Sequence, residues 1–252
     1  MKIHLPVHCN EIGLRESNED AIYPVTPTED SRLFMVCDGV GGQAKGEVAS
    51  SLTCQGFSKY LSENPMEDIE DETYLPLALQ SVEQNLGTYL ETHPEAKGMA
   101  TTLTFLKISD EDEKALIGWV GDSRAYHIRD GQILYQTKDH SIVQGMVEMG
   151  EITEEEALTH PKRNIITRAV NGTYPTRIDQ KIITDIKKND FFFLCTDGIL
   201  ETINDEIIAL SCTEQASVEK IKSYIVNKAK GVTKDNYSMY IVKIQKTTSK
   251  NS

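Results

Sequence analysis

RLFMVCDGVGGQAKG, residues Arg32 to Gly46, holds an apolar run that stops at an aspartate and passes into glycines. Leu33, Phe34, Met35, Val36 and Cys37 read as a buried strand. Asp38 therefore arrives at the strand's end with its carboxylate beside the core, where a charge needs a partner. Asp-Gly is also a strong hairpin signal. The residues that follow, GEVASSLTCQGFSKYL, instead place Val48, Leu52, Phe57 and Leu61 at helical spacing, so no partner strand comes next and the hairpin reading weakens.

The pattern recurs once. Phe191, Phe192, Phe193, Leu194, Cys195 and Thr196 run into Asp197 and Gly198, and a helix-like ILETI follows. Two apolar strands that each deliver an Asp-Gly suggest acids gathered in space, and gathered carboxylates are ligands for hard cations. Asp235 in KDNYSMYIVKI and Asp122 in GWVGDSRAY are two further candidates. Each alone also reads as an ordinary turn acid, so the case lies in the set.

The 252 residues fit one large α/β domain, with no Pro/Gly/Ser-rich linker between halves. We expect a single domain over residues 1–246 and a frayed tail over 247–252. The 39 acidic and 26 basic residues give a net charge of -13, which argues against DNA or RNA as a partner. The five cysteines are odd in number, lack CxxC spacing and mostly lie in apolar runs, so they read as buried thiols in a reducing cytoplasm. With no N-terminal signal segment and no apolar stretch of about 18 residues, secretion and membrane spanning are not expected.

Rival readings of the glycines fail on their surroundings. Gly39, Gly41 and Ala44 fit a loose GxGxxG/A spacing, but a dinucleotide fold needs a second strand ending in an acid about 20 residues on, and SENPMEDIEDE stands there. A P-loop needs Lys and Ser/Thr after Gly46, where Glu47 and Val48 stand.

Along the chain, Lys2 to Val7 reads as a short strand, with His4 and His8 as structural residues. Arg15 and Glu19 stand in GLRESNEDAIYPV, which by itself reads as a solvated polar loop. Helices are expected over 47–61 and 72–92, the second with a core stripe of Leu75, Leu79, Val82, Leu86 and Leu90. Residues 101–136 read as an antiparallel meander of two hairpins with Asp122 in the turn between them. From about 139 to 172, capped helical pieces alternate with Gly145, Gly150 and Pro161, which reads as a small helical flap; His140 and His160 at its ends read as hinge or packing residues. Strands around 178–184 and 191–196, a helix near 217–230 and a strand over 237–244 complete the fold.

In order, GLRESNEDA, CDGVGGQAKGEVAS, GMATTL, VGDSRAY, KDHS, RNIITRAVNG, LCTDGI and KDNYS resemble the metal-dependent protein phosphatases of the protein phosphatase 2C family, above all the bacterial single-domain members that carry a flap. The eight motifs cover Gly13 to Ser238. The resemblance implies an α+β fold, a four-layer α/β/β/α sandwich of two mainly antiparallel sheets with helices outside. It implies hydrolysis of phosphoserine and phosphothreonine by direct attack of a water that bridges two Mn²⁺ or Mg²⁺ ions, with no phospho-enzyme. By the same resemblance Asp38 bridges the ions, the Gly39 carbonyl binds one, Asp197 and Asp235 bind the other, and Glu19 acts through a metal-bound water. Arg15 grips the phosphate. Asp122 matches the position that helps hold a third, weaker ion. The implied partners are phosphorylated proteins and a cognate Ser/Thr kinase, in the cytoplasm.

Three departures stand out. Val40 occupies a position where some members have a histidine proposed to protonate the leaving group. Gln43 replaces a histidine common in bacterial relatives, and Lys234 precedes Asp235 where a small residue or an acid is more usual. The second function class is a catalytically weak or inactive relative that binds phosphoproteins as a regulator.

Overall fold

In the computed structural model, which describes residues 1–40 and 45–247, each apolar run becomes a strand or the buried stripe of a helix. The glycine stretch with Gly41, Gln43 and Ala44, and all but the first residue of the expected frayed tail, lie outside the described residues. The elements in chain order are β1 (Lys2–Ile3), β2 (Val7–Glu11), β3 (Ala21–Tyr23), β4 (Leu33–Cys37), β5 (Gly39–Val40), α1 (Gly46–Glu63) and α2 (Tyr74–Thr92). Next come β6 (Ala100–Thr101), β7 (Leu103–Ile108), β8 (Ala115–Val120), β9 (Arg124–Arg129) and β10 (Gln132–Gln136). The flap contributes α3 (Ile142–Glu148) and α4 (Glu154–Thr159). Last are β11 (Asp179–Ile183), β12 (Phe191–Cys195), α5 (Asp197–Leu200), α6 (Asp205–Ser211), α7 (Val218–Ala229) and β13 (Tyr237–Lys246).

Two antiparallel sheets face each other. One has the order β1-β13-β12-β9-β10, with β2 also paired to β13; the other has the order β11-β8-β7-β4-β3. Alternation along the central strands divides the apolar side chains between two faces. Phe34 and Val36 of β4 meet Phe192 and Leu194 of β12 and Tyr240 and Val242 of β13 between the sheets. Met35 and Cys37 point the other way, to Leu75, Leu79, Val82 and Leu86 of α2 and Phe57 of α1. Phe191, Phe193 and Cys195 face Ile221 and Ile225 of α7. The result is the expected four-layer α/β/β/α sandwich.

Two expectations need correction. The chain from 101 to 136 is not one meander: β7 and β8 form a hairpin in one sheet, while β9 and β10 form a hairpin in the other. The crossing occurs at Gly121–Ser123. Gly121 adopts φ +100 there, and a Cβ on it would lie 2.6 Å from Thr102 Cγ2, so this corner admits only glycine. Residues 2–7 are likewise not one strand. Pro6 breaks the run, and β1 and β2 pair separately with opposite ends of β13.

The flap helices carry the caps that their sequence calls for. Ser141 accepts a hydrogen bond from Gln144 N at the start of α3, and Thr153 forms a capping box with Glu156 at the start of α4. All five cysteines are buried free thiols. Among the described residues, no helix is long and apolar enough to cross a membrane.

Candidate active site

The strand ends that deliver acids converge at one end of the sandwich. Asp38 follows β4, Asp197 opens α5 directly after β12, Asp235 precedes β13, and Asp122 occupies the crossing between β8 and β9. Backbone contacts fix Asp38: its N–H donates to Thr102 Oγ1 at 2.9 Å, and its carbonyl accepts from Thr102 N–H and Thr101 Oγ1, both at 2.8 Å. Thr102 Oγ1 in turn lies 2.7 Å from Ser123 Oγ, which ties the Asp38 backbone to the turn that carries Asp122.

Asn236 pins the N-terminal loop to the same place. Its amide oxygen accepts from Glu19 N–H at 2.8 Å, and its amide nitrogen donates to the carbonyls of Ile12 and Ser17, each at 2.8 Å. The loop that alone reads as a solvated stretch is thereby held against the start of β13. Ser50 Oγ donates to the Glu19 carbonyl at 2.6 Å, and Gly39 N–H donates to the same carbonyl at 3.1 Å. Arg15 is more than half exposed at the rim, with Nη2 2.7 Å from Asp235 Oδ2.

The electrostatics are those of an anion cluster. Burial raises the Asp38 carboxyl well above the usual carboxylate range, and the charges of Asp20, Asp197, Asp122 and Asp235 add to that. Burial and Asp235 push Asp197 up; burial, Asp197 and Asp139 push Asp122 up. Glu19 is raised by burial and by Glu47, with Arg15 opposing. Asp197 Oδ1 is buried without a hydrogen-bond partner. Hard oxygen donors, mutual repulsion and an orphaned buried carboxylate oxygen together fit divalent cations of the Mg²⁺ and Mn²⁺ type. Among the described residues, no three histidine, cysteine or carboxylate side chains are gathered closely enough to enclose one ion.

The structure thus brings Arg15, Glu19, Asp38, Gly39, Asp122, Asp197 and Asp235 into one neighbourhood. Sequence reasoning missed Asp20, whose buried carboxylate accepts from Thr196 Oγ1 at 3.0 Å and bears on Asp38. Asp20 immediately precedes β3 in a stretch that reads as polar loop, and what buries it, Thr196 among others, is distant in sequence. Asp139 was missed as well. Arg124 holds it bidentately at 2.8 and 2.7 Å and reaches Asp205 at 3.0 Å, so the flap's first residues are anchored to β9 and α6.

His140 is a packing residue with a defined tautomer. Gly121 N–H donates to its Nδ1 at 3.0 Å, so the proton sits on Nε2, which faces Asp179 Oδ2 at 3.1 Å. Burial, with the Arg168 guanidinium next in weight, lowers its pKa, in keeping with a neutral ring. His140 therefore joins the Asp122 turn to the flap and is no base.

Residues 12–228 match the family model described as Protein phosphatase 2C. Among curated proteins, the chain is 31% identical over 233 residues to the serine/threonine protein phosphatase PstP of Mycobacterium tuberculosis, covering 92% of this chain. It spans 43% of that relative's length. Among solved structures, Stp1 from Staphylococcus aureus, a serine/threonine phosphatase, superposes with a TM-score of 0.82 at 31% identity, covering 96% of this chain and 95% of that one. The catalytic domain of PstP in complex with two manganese ions superposes with a TM-score of 0.76 at 28% identity, covering 98% of this chain and all of that one.

Proposed function

Since the chain belongs to the protein phosphatase 2C family, we propose that it is a metal-dependent phosphatase acting on phosphoserine and phosphothreonine in proteins. The observation that carries this reading is the setting of Asp38, whose carboxylate lies among Asp20, Asp122, Asp197 and Asp235 with no cationic side chain bonded to it among the described residues. In this reading Asp38, the Gly39 carbonyl, Asp197 and Asp235 would hold two ions, and Glu19 would act through a water. Asp122 contributes to a third, weaker site. Mn²⁺ or Mg²⁺, when bound, supplies an activated water and positive charge against the phosphoryl oxygens. The two-manganese structure of the PstP catalytic domain supports the choice of ion class.

The protein's own groups set substrate and orientation. The Arg15 guanidinium stands at the rim with a planar donor fork that matches phosphate, and a bound phosphoryl group competes with Asp235 for it. Asn236, Ser50 and Thr102 hold the Glu19 and Asp38 backbones in register, so the carboxylates meet the phosphoryl group in a fixed arrangement. Val40 carries no proton to give, so no side-chain acid is assigned to the leaving alkoxide. We further propose one phosphatase domain over residues 1–246, phosphoproteins as substrates and a Ser/Thr kinase as the opposing enzyme, in the cytoplasm.

The test is hydrolysis of a phosphothreonine peptide. Turnover should require added Mn²⁺ or Mg²⁺ and cease with EDTA; undiminished turnover in a chelated preparation defeats the reading. Arg15→Ala should raise KM for the peptide by about tenfold, the loss of one bidentate charged contact. Mn²⁺ affinity should hold or tighten, because Asp235 is released from its ion pair. An unchanged KM removes Arg15 from the phosphate site.

A further inference from the structure

Cys37 and Cys54 form a contact that the proposed reaction does not use. Their sulfurs lie 3.5 Å apart, Cys37 at the end of β4 and Cys54 on α1, and both side chains are buried, at 0% and 4% exposure. Cys54 also lines a cavity of about 630 Å³ that lies along β2 and β3 beside α1, with His8, Tyr23, Ser51 and Lys222 on its walls. A small oxidant therefore has a route to Cys54, whereas Cys37 is sealed behind it.

We propose that Cys37 and Cys54 are an oxidative modification site, at which hydrogen peroxide converts the two thiols into a disulfide that couples α1 to β4, the strand that ends just before Asp38. In the first step the Cys54 sulfur attacks one peroxide oxygen; the O–O bond breaks, an S–O bond forms, and the sulfenic acid is left with one water released. In the second, the Cys37 sulfur attacks the Cys54 sulfur; the S–S bond forms, the S–O bond breaks, and a second water leaves with the Cys37 proton. The two thiols give up two electrons in all, and these reduce the peroxide. The second step is intramolecular between groups already in contact, which favours it over further oxidation of Cys54.

The disulfide must draw the sulfurs from 3.5 Å to about 2.05 Å. The start of α1 packs tightly against Gly39 and Glu19. A Cβ on Gly39 would lie 2.5 Å from the Gly46 carbonyl carbon and 2.6 Å from the Glu19 carbonyl oxygen, and one on Gly46 would collide with the Glu19 carboxylate. A shift of α1 against β4 therefore passes to Asp38, Gly39 and Glu19. Displacements near 1 Å at reacting groups cost about a hundredfold in rate. The effect on turnover rests on the function proposed above; the cross-link does not.

The experiment treats the whole chain with hydrogen peroxide and reads three quantities: the Cys37–Cys54 cross-linked peptide by mass spectrometry, Mn²⁺ binding, and turnover of p-nitrophenyl phosphate. The expected result is the cross-linked peptide, a loss of Mn²⁺ affinity and a fall in turnover of tenfold or more, all reversed by dithiothreitol. Cys54→Ser should keep its basal turnover and escape the fall; Cys54→Ala serves the same purpose should the serine variant fold poorly. Absence of the cross-linked peptide overturns the proposal, and so does equal loss of Mn²⁺ binding and turnover in the variants. A chain with no turnover before oxidation counts against the phosphatase reading alone, because the cross-link and Mn²⁺ binding are still read.

Discussion

Asp38→Ala is expected to lower turnover of a phosphothreonine peptide by about three powers of ten or more, equivalent to about 4 kcal/mol of transition-state stabilisation. The magnitude follows from position. Four other aspartates bear on this carboxylate, and its backbone is held by Thr101 and Thr102 at 2.8 and 2.9 Å, so no neighbouring acid can move into its place. Its removal also lessens the repulsion within the cluster. Burial and neighbouring charge raise these carboxyls, so the variant should fold at least as stably as the wild type without metal. Inactivity joined to an undiminished thermal midpoint is the expected signature. A variant that keeps a tenth of wild-type turnover would show that Asp38 does not organise the reaction.

The largest expected effect on stability lies at the other end of β12. The Asp190 side chain is fully buried and accepts from Arg129 Nε and Nη2 at 2.7 and 2.8 Å, from the Lys187 N–H at 2.8 Å, and pairs with His127 Nε2 at 2.8 Å. Burial alone would raise its pKa, but the hydrogen bonds from Arg129, His127 and Lys187 outweigh burial and hold it below the usual carboxylate value. Asp190→Ala leaves His127 buried and Arg129 half-buried without their partner, and should cost about 3–5 kcal/mol. Because the folded pKa lies below the unfolded one, the stabilisation is complete above the unfolded value of about 4. It is lost as pH falls through the folded value. Chemical denaturation of wild type and variant should therefore differ most at neutral pH and converge in strong acid. Turnover per folded molecule should be unchanged, since Asp190 and Asp197 lie at opposite ends of one strand. A difference of under about 1 kcal/mol at pH 7 would mean that the network is neutral.

What could be read from the residues alone was local. Apolar runs that stop at an aspartate announced β4 and β12 because the strand pattern and its ending lie within a few residues of each other. The stripe through Leu75, Leu79 and Val82 announced α2 for the same reason. The fate of residues 101–136 was hidden because hairpins look alike whether or not consecutive ones share a sheet; what separates them is the corner at Gly121, whose constraint comes from Thr102, a residue between β6 and β7. Asp20 and Asn236 were hidden in another way. Their partners, Thr196 and the Ile12 and Ser17 carbonyls, lie 176 to 224 residues away. A buried carboxylate in a loop differs from a solvated one only through such distant contacts. The polar loop around Arg15 and Glu19 acquired meaning through the ordered motifs, and its geometry through Asn236.

The proposed reaction requires that the acids around Asp38 form a site for two divalent cations. Calorimetric titration of the metal-stripped chain with Mn²⁺, run beside Asp38→Ala, tests it most directly. Two ions bound per wild-type chain, with that binding lost in the variant, is the predicted result. A variant that binds two ions as tightly as the wild type, or a wild-type chain that hydrolyses phosphothreonine peptide while binding none, would contradict it.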